Sequence, residues 1–234
     1  MIELVALDIA GTTVEDHQAV YRALADAARA AGGDPTPTDI QTWMGSGKRE
    51  ALTALLTVDG AAPAAAVVDA AFADFRRRLD QAYRAVPPMP LPGVPEALAR
   101  LRDDGVRVAL TTGFDREVTD NLLAVVGWDG ALLDAVITVD DVPAGRPAPY
   151  MIFRAMEATG VHSVANVLTA GDTVRDLEAG TNAGARAVVG VLTGAVDEAT
   201  LRTAPHTHIR PSVADLPELV AELTGLSASA PLRH

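Results

Sequence analysis

Two carboxylates stand where apolar strands run out. Asp8 ends the run Ile2-Glu3-Leu4-Val5-Ala6-Leu7 and leads into Ile9-Ala10-Gly11-Thr12-Thr13. Asp172 follows Val167-Leu168-Thr169-Ala170-Gly171 and leads into Thr173-Val174-Arg175-Asp176. A carboxylate carried into a tight turn by a buried strand can attack phosphorus. The phosphorylated carboxylate then divides one hard displacement into two easier ones. The attack brings anions together, so a hard cation with oxygen ligands is expected, and Mg2+ suits that role. Its ligands would be Asp8, Asp172 and a backbone carbonyl near Ala10. Taken singly, Asp8 reads as a turn residue and Asp172 as a helix cap. Their joint placement after two strands favours a shared cation.

Three further residues could complete such a site. Thr111 opens Thr111-Thr112-Gly113-Phe114, where a hydroxyl and the following amides can hold a phosphoryl oxygen at a helix start. Arg146, in a proline-rich loop, carries a guanidinium able to neutralise the nucleophile and bind two oxygens at once. Asp176 lies one helical turn beyond Asp172, so both can face one site. It could orient Arg146 or a metal-bound water, or simply favour the helix N-terminus.

These residues need a scaffold that gathers strand ends. Strand-like runs recur at 4–8, 107–111, 135–139, 166–170 and 187–192, with helix-like stretches at 94–103, 115–126, 149–159 and 173–183. The alternation predicts βαβ units and a Rossmann-like parallel sheet, whose ligands sit at strand carboxyl ends. Residues 14–86 break the rhythm with alanine-rich helical patterns at 15–31, 48–56 and 64–85 and no convincing strand. The expected organisation is a core from 1–13 and 87–226, a helical insert at 14–86 and a flexible tail at 227–234. Pro87-Pro88-Met89-Pro90-Leu91-Pro92-Gly93 reads as a stiff return linker.

Composition narrows the partners. The net charge of −12 over 234 residues argues against nucleic acid, and it obliges any phosphate site to carry local cations. The absence of cysteine excludes disulfides and thiolate chemistry. No basic n-region with an apolar h-region opens the chain, and no apolar stretch is long enough to span a membrane, so a cytoplasmic protein without membrane partners is expected. The five histidines are scattered, and His206 and His208 alternate like one face of a strand. Gly45-Ser46-Gly47-Lys48 is not a P-loop: Thr42 takes the place of its first glycine, Arg49 replaces its Ser/Thr, and no strand precedes it.

Asp8-Ile9-Ala10-Gly11-Thr12, Thr111, Arg146 and Gly171-Asp172-Thr173-Val174-Arg175-Asp176, in this order, resemble the four motifs of the haloacid dehalogenase superfamily of phosphoaspartyl hydrolases. The resemblance implies an α/β core with an α-helical C1 cap at the insert. Two departures resemble the phosphonatase subgroup, the phosphonoacetaldehyde hydrolases. The usual second aspartate of the first motif is Ala10, and the usual lysine of the third is Arg146. Met44-Gly45-Ser46-Gly47-Lys48 is similar to the subgroup's segment carrying a Schiff-base lysine. The resemblance therefore implies a catalytic role for Lys48 and substrate contacts at Gly11, Thr12, Met44, Gly45, Thr112 and Gly113. It also implies a homodimer through the cap, for which the helix around 15–31 could serve.

A chemical reason links Ala10 to Lys48. An acid at position 10 would protonate an alkoxide leaving group. C–P cleavage instead releases a carbanion, and a lysine imine on the neighbouring carbonyl lets the electrons leave as an enamine. Lys48 must be neutral to form it, and burial together with adjacent Arg49 could lower its pKa. The subgroup commonly has a histidine three residues after the lysine; Ala51 stands here. Three functions stay open: hydrolysis of a small phosphonate aldehyde, hydrolysis of a small phosphomonoester such as phosphoglycolate, and silent binding of a phosphorylated ligand.

Overall fold

The computed structural model describes residues 1–225; the tail expected at 227–234 lies outside them. Its strands are β1 (Leu4–Leu7), β2 (Val14–Glu15), β3 (Met89–Pro90), β4 (Arg107–Thr111), β5 (Ala135–Ile137), β6 (Val167–Gly171), β7 (Ala187–Val191) and β8 (His208–Arg210). Six of them form one sheet in the order β5-β4-β1-β6-β7-β8. Every pairing within it is parallel. β1, β6 and β7 are buried at every position, as a sheet covered on both faces requires.

The chain runs from β1 outward through β4 and β5, then returns to β6 on the other side of β1. This reversal opens a crevice at the carboxyl ends of β4, β1 and β6. Thr111, Asp8 and Asp172 all lie at those ends. The fold thus brings together residues 160 positions apart, as the Thr12–Asp172 hydrogen bond shows.

The helices are α1 (Ala19–Ala30), α2 (Pro37–Thr42), α3 (Lys48–Leu55), α4 (Ala65–Ala85), α5 (Val94–Asp103), α6 (Arg116–Val126), α7 (Tyr150–Thr159), α8 (Val174–Ala183), α9 (Glu198–Leu201) and α10 (Leu216–Thr224). Leu98 of α5 and Leu219 of α10 pack with Val5 and Leu110 on one face of the sheet. Met151 and Ile152 of α7 and Ala179 of α8 pack with Leu4 and Ala109 on the other. Successive strand residues thus feed opposite cores.

The first four helices lie between β1 and α5. α4 buries Val68, Ala71, Phe72, Phe75 and Leu79, the three-and-four spacing of a single helix face. That face meets α1, whose buried side chains are mostly alanine and allow close approach. Two findings correct the sequence reading at the junctions of this segment. Val14 lies opposite Pro90 and Glu15 opposite Met89, so β2 and β3 form a short antiparallel ribbon. The stretch read as a bare linker is therefore paired, and the segment read as strandless begins with a strand. Two residues per strand are too few to show a period. Among the described residues, no helix is long and apolar enough to cross a membrane.

Candidate active site

Asp8 leaves β1 with its backbone N–H donating to the Ala170 carbonyl at 3.0 Å, which ties it to β6. The turn after it closes when Thr13 and Val14 donate to the Ile9 carbonyl. Gly11 occupies the left-handed region at φ 86°, and a Cβ there would meet Asp172 Oδ2 at 2.6 Å. A glycine is thus required by both backbone and space. Thr12, expected to touch substrate, instead donates from Oγ1 to Asp172 Oδ1 at 2.8 Å. It holds Asp172 in place. Gly194, after β7, is a second such requirement: a Cβ there would overlap the Asp172 carboxylate. Thr193 beside it donates to the Gly11 carbonyl at 2.6 Å, joining the two turns.

Arg146 stands at the centre of the acidic residues and is 4% exposed. Its Nη1 lies 2.6 Å from Asp8 Oδ1 and 2.5 Å from Asp176 Oδ1. Its Nη2 donates to Thr111 O at 2.6 Å and Thr111 Oγ1 at 2.9 Å. Thr111 therefore anchors the arginine through both its oxygens, and it is Thr112, not Thr111, that lines the cavity beside Asp8. Asp176 performs two of the roles open to it. One oxygen pairs with Arg146, while the other accepts from Thr173 N and Oγ1 in a capping box that starts α8.

Asp8, Asp172 and Asp176 offer buried carboxylate oxygens all within 4.8 Å of one another. Arg146 pairs with Asp8 and Asp176 but not with Asp172, which is held by the neutral Thr12 hydroxyl in a place without bulk water. Burial raises the Asp8 pKa to about 6; Arg146 lowers it and Asp176 raises it. Burial also pushes Asp172 up, with Asp8 and Asp176 adding to the effect. A hard, oxygen-seeking cation is the natural complement of this donor set.

Lys48 is the first residue of α3 and is 6% exposed. Its Nζ donates to the Ser46 carbonyl at 3.0 Å and lies 5.6 Å from the Phe114 ring centre. Burial lowers its pKa to about 8; Asp8, Asp16 and Asp176 oppose the shift, and Arg146 assists it. The assisting cation is thus Arg146 and not Arg49. Arg49 points outward, pairing with Asp69 and stacking on Phe72.

The loop before Lys48 sits on the core through glycines. A Cβ on Gly45 would meet Thr173 Oγ1 at 2.5 Å, and one on Gly113 would overlap the Ser46 carbonyl oxygen. Arginines flank this contact on two sides. Arg76 of α4 pairs with Asp115 and Glu117 at the start of α6. Arg175 of α8 lies 4.8 Å from the Trp43 ring and donates to the Thr42 carbonyl.

Beside Asp8, between the helical segment and the sheet, lies a cavity of about 20 Å³, bounded by Asp8, Ala10, Tyr21, Lys48, Thr112 and Arg146. That is room for about one water, so a substrate requires the helices to move. A groove of about 1280 Å³ along the same seam shares Lys48, Gly113 and Arg146 with it. Gly45 and Gly113 also border the closed cavity. Met44 is not brought to it: this side chain packs against the cluster of Leu177, Val196 and Leu201. His17 lies on the left-handed turn before α1, beside Glu15. Tyr21, Phe114, Thr173, Thr193 and Gly194 are among the neighbours of the site that the sequence reading did not single out. Only Thr173 carried a signal, the Thr-x-x-Asp capping pattern.

A model of the haloacid dehalogenase-like hydrolases matches residues 2–184. Phosphonoacetaldehyde hydrolase of Bacillus cereus is 40% identical over 105 residues, which is 45% of this chain and 39% of that protein. The chain thus spans about two fifths of the length of the curated relatives it matches. Among solved structures, a phosphonoacetaldehyde hydrolase-like protein from Oleispira antarctica superposes with a TM-score of 0.81 at 22% identity, over 96% of this chain and 93% of that one. A predicted phosphoglycolate phosphatase from Haemophilus somnus superposes with a TM-score of 0.72 at 19% identity, over 93% and 97%. At such identities the superpositions speak for the fold. With the family match covering most of its length and the fold agreeing, the chain belongs to the haloacid dehalogenase-like hydrolases.

Proposed function

We propose that this hydrolase cleaves the C–P bond of phosphonoacetaldehyde or a close analogue. The observation that carries the reading is a buried, pKa-lowered Lys48 on the same small cavity as Asp8, where position 10 is alanine. Neutral Lys48 Nζ attacks the aldehyde carbon, one proton is taken up from solvent, water leaves, and a protonated imine forms. Asp8 then attacks phosphorus; the P–C bond breaks, and its electron pair passes into the imine to give an enamine. Water hydrolyses the phosphorylated Asp8, releasing phosphate. Protonation of the enamine carbon and hydrolysis of the imine release acetaldehyde and restore Lys48. Arg146 holds Asp8 in line, and the amides near Thr112 hold phosphoryl oxygens. In this reading residues 14–86 act as a cap that excludes water when closed.

Asp8 and Asp172, with the Ala10 carbonyl, are the residues proposed to hold Mg2+. When bound, the ion offsets the negative charge that accumulates as carboxylate and phosphoryl oxygens meet. Mg2+ should raise the melting temperature of the unmodified protein by several degrees at saturation. Asp172→Asn should abolish most of that rise, and EDTA should reverse it. A melting temperature indifferent to Mg2+ would count against the ligand set.

Gly113→Ala tests the seating of the lysine loop. The added methyl would displace the Ser46 carbonyl that accepts from Lys48. A displacement of about 1 Å should cost roughly 10²-fold in turnover, and the clash with backbone should lower the melting temperature by several degrees. Full activity in this variant would show that the closed contact is dispensable.

The direct test of function is a substrate panel containing phosphonoacetaldehyde and common phosphomonoesters, with Mg2+ and EDTA arms. Release of acetaldehyde and phosphate together supports C–P hydrolysis. One observation favours hydrolysis of a small phosphomonoester instead. Ala51, where the phosphonatases commonly carry a histidine, is fully buried in the apolar core and offers no proton. Rapid phosphoglycolate hydrolysis with no acetaldehyde formed would decide for that alternative.

A further inference from the structure

We propose that the Tyr21 hydroxyl donates a hydrogen bond to the oxygen on the non-phosphoryl side of the substrate, occupying the space that Ala10 leaves beside Asp8. For a phosphonate aldehyde this is the carbonyl oxygen; for an ester it is the bridging oxygen. The aldehyde case rests on the function proposed above.

Geometry comes first. Tyr21 lies on α1 and lines the same cavity as Asp8, Ala10 and Lys48. Either reaction needs a donor on the departing side of the substrate. Ala10 presents only a methyl group there, and Ala51 points into the core. The other polar side chains on the cavity are either already bonded or stand on the phosphoryl side. Arg146 is held by Asp8, Asp176 and Thr111. Thr173 is bonded to Asp176. Thr112 accepts from the Phe114 amide and stands at the β4 end, on the phosphoryl side. Lys48 is the proposed imine former and cannot also polarise the oxygen it displaces.

Tyr21 is the remaining side-chain donor away from the phosphoryl side. Burial first, and then the carboxylates of Asp172, Asp8, Asp16 and Asp176, hold its phenol well above the usual range. The hydroxyl therefore stays protonated at physiological pH. Its proton is shared and not transferred, so no redox or group-transfer step is involved. Donation to the carbonyl oxygen makes the aldehyde carbon more electrophile-like for Lys48 and eases the oxygen's departure as water.

Tyr21→Phe keeps the ring packing and removes the donor. Its effect should depend on the leaving group. Turnover of phosphonoacetaldehyde should fall roughly 10²-fold, the scale of losing one preorganised donor. Turnover of acetyl phosphate, whose carboxylate leaving group departs with little help, should fall at least tenfold less. Equal losses on both substrates would reduce Tyr21 to a packing residue and overturn the proposal, as would no loss on either. If the unmodified protein cleaves esters and forms no acetaldehyde, the phosphonate reading fails by itself. The same comparison is then made between phosphoglycolate and acetyl phosphate, and the same two results decide it. Turnover of none of the three substrates by the unmodified protein would overturn both proposals together.

Discussion

Asp8→Asn is expected to stop turnover while leaving the chain folded. The amide is a poor nucleophile and a weaker metal ligand. Removal of a covalent nucleophile costs on the order of 10⁴–10⁶-fold. The fold should survive because the asparagine oxygen can still accept from Arg146, which keeps its contacts with Asp176 and Thr111. Stability should even rise in metal-free buffer. The folded-state pKa of Asp8 is about 6, above its ordinary 3.8. Folding therefore favours the protonated form, and ionisation of this group opposes folding. That cost is absent below about pH 4, grows through pH 6 and is fully present above it. The variant should thus melt above the unmodified protein near pH 7.5, and the gap should close toward pH 4. Unchanged turnover in purified Asp8→Asn protein would end the covalent mechanism. A stability gap that widened in acid would show that the ionised carboxylate does not oppose folding.

The legible parts of this molecule are those written in runs. β1 and β6 are buried on both faces, so each appears as an unbroken apolar stretch, and the acid that ends each stretch stands out against it. Helix α4 shows itself by the spacing of Val68, Phe72, Phe75 and Leu79. What sequence reading misses is set by contacts between distant turns. Thr12 looks like a substrate contact until Asp172 is seen beside it, and nothing local marks Gly194 as the residue that lets Asp172 fit. Met44 follows a tryptophan in the lysine loop and reads as a pocket wall, yet it packs against Leu177 and Val196 on the outer side of α8. Sequence adjacency misleads in the same way for Arg49. It neighbours Lys48 along the chain, but α3 turns it outward toward Asp69, and the cation that acts on Lys48 is Arg146. The ribbon of β2 and β3 is invisible because two residues cannot display an alternation.

The largest consequence of that geometry concerns Lys48. Borohydride added with phosphonoacetaldehyde is expected to trap a covalent adduct on this residue and no other. The reason is the fraction of neutral amine. With a pKa of about 8 in place of 10.5, Lys48 holds roughly 300 times as much free amine near pH 7 as an ordinary lysine. Adduct formation should therefore climb with pH up to about 8 and level off above it. Lys48→Arg keeps the charge but cannot form an imine, so acetaldehyde release should fall by on the order of 10⁴-fold or more. Arginine is bulkier than lysine, and this site is closed by Ser46 and Phe114. Lys48→Met, which matches the length without the amine, is the companion variant and should lose trapping and turnover equally. If the protein is a phosphomonoesterase, both variants should keep a substantial part of their ester turnover and show mainly weakened substrate binding. No adduct on the unmodified protein, alongside brisk ester hydrolysis, would remove the lysine from the chemistry and leave it as a buried cation that steadies the phosphoryl site.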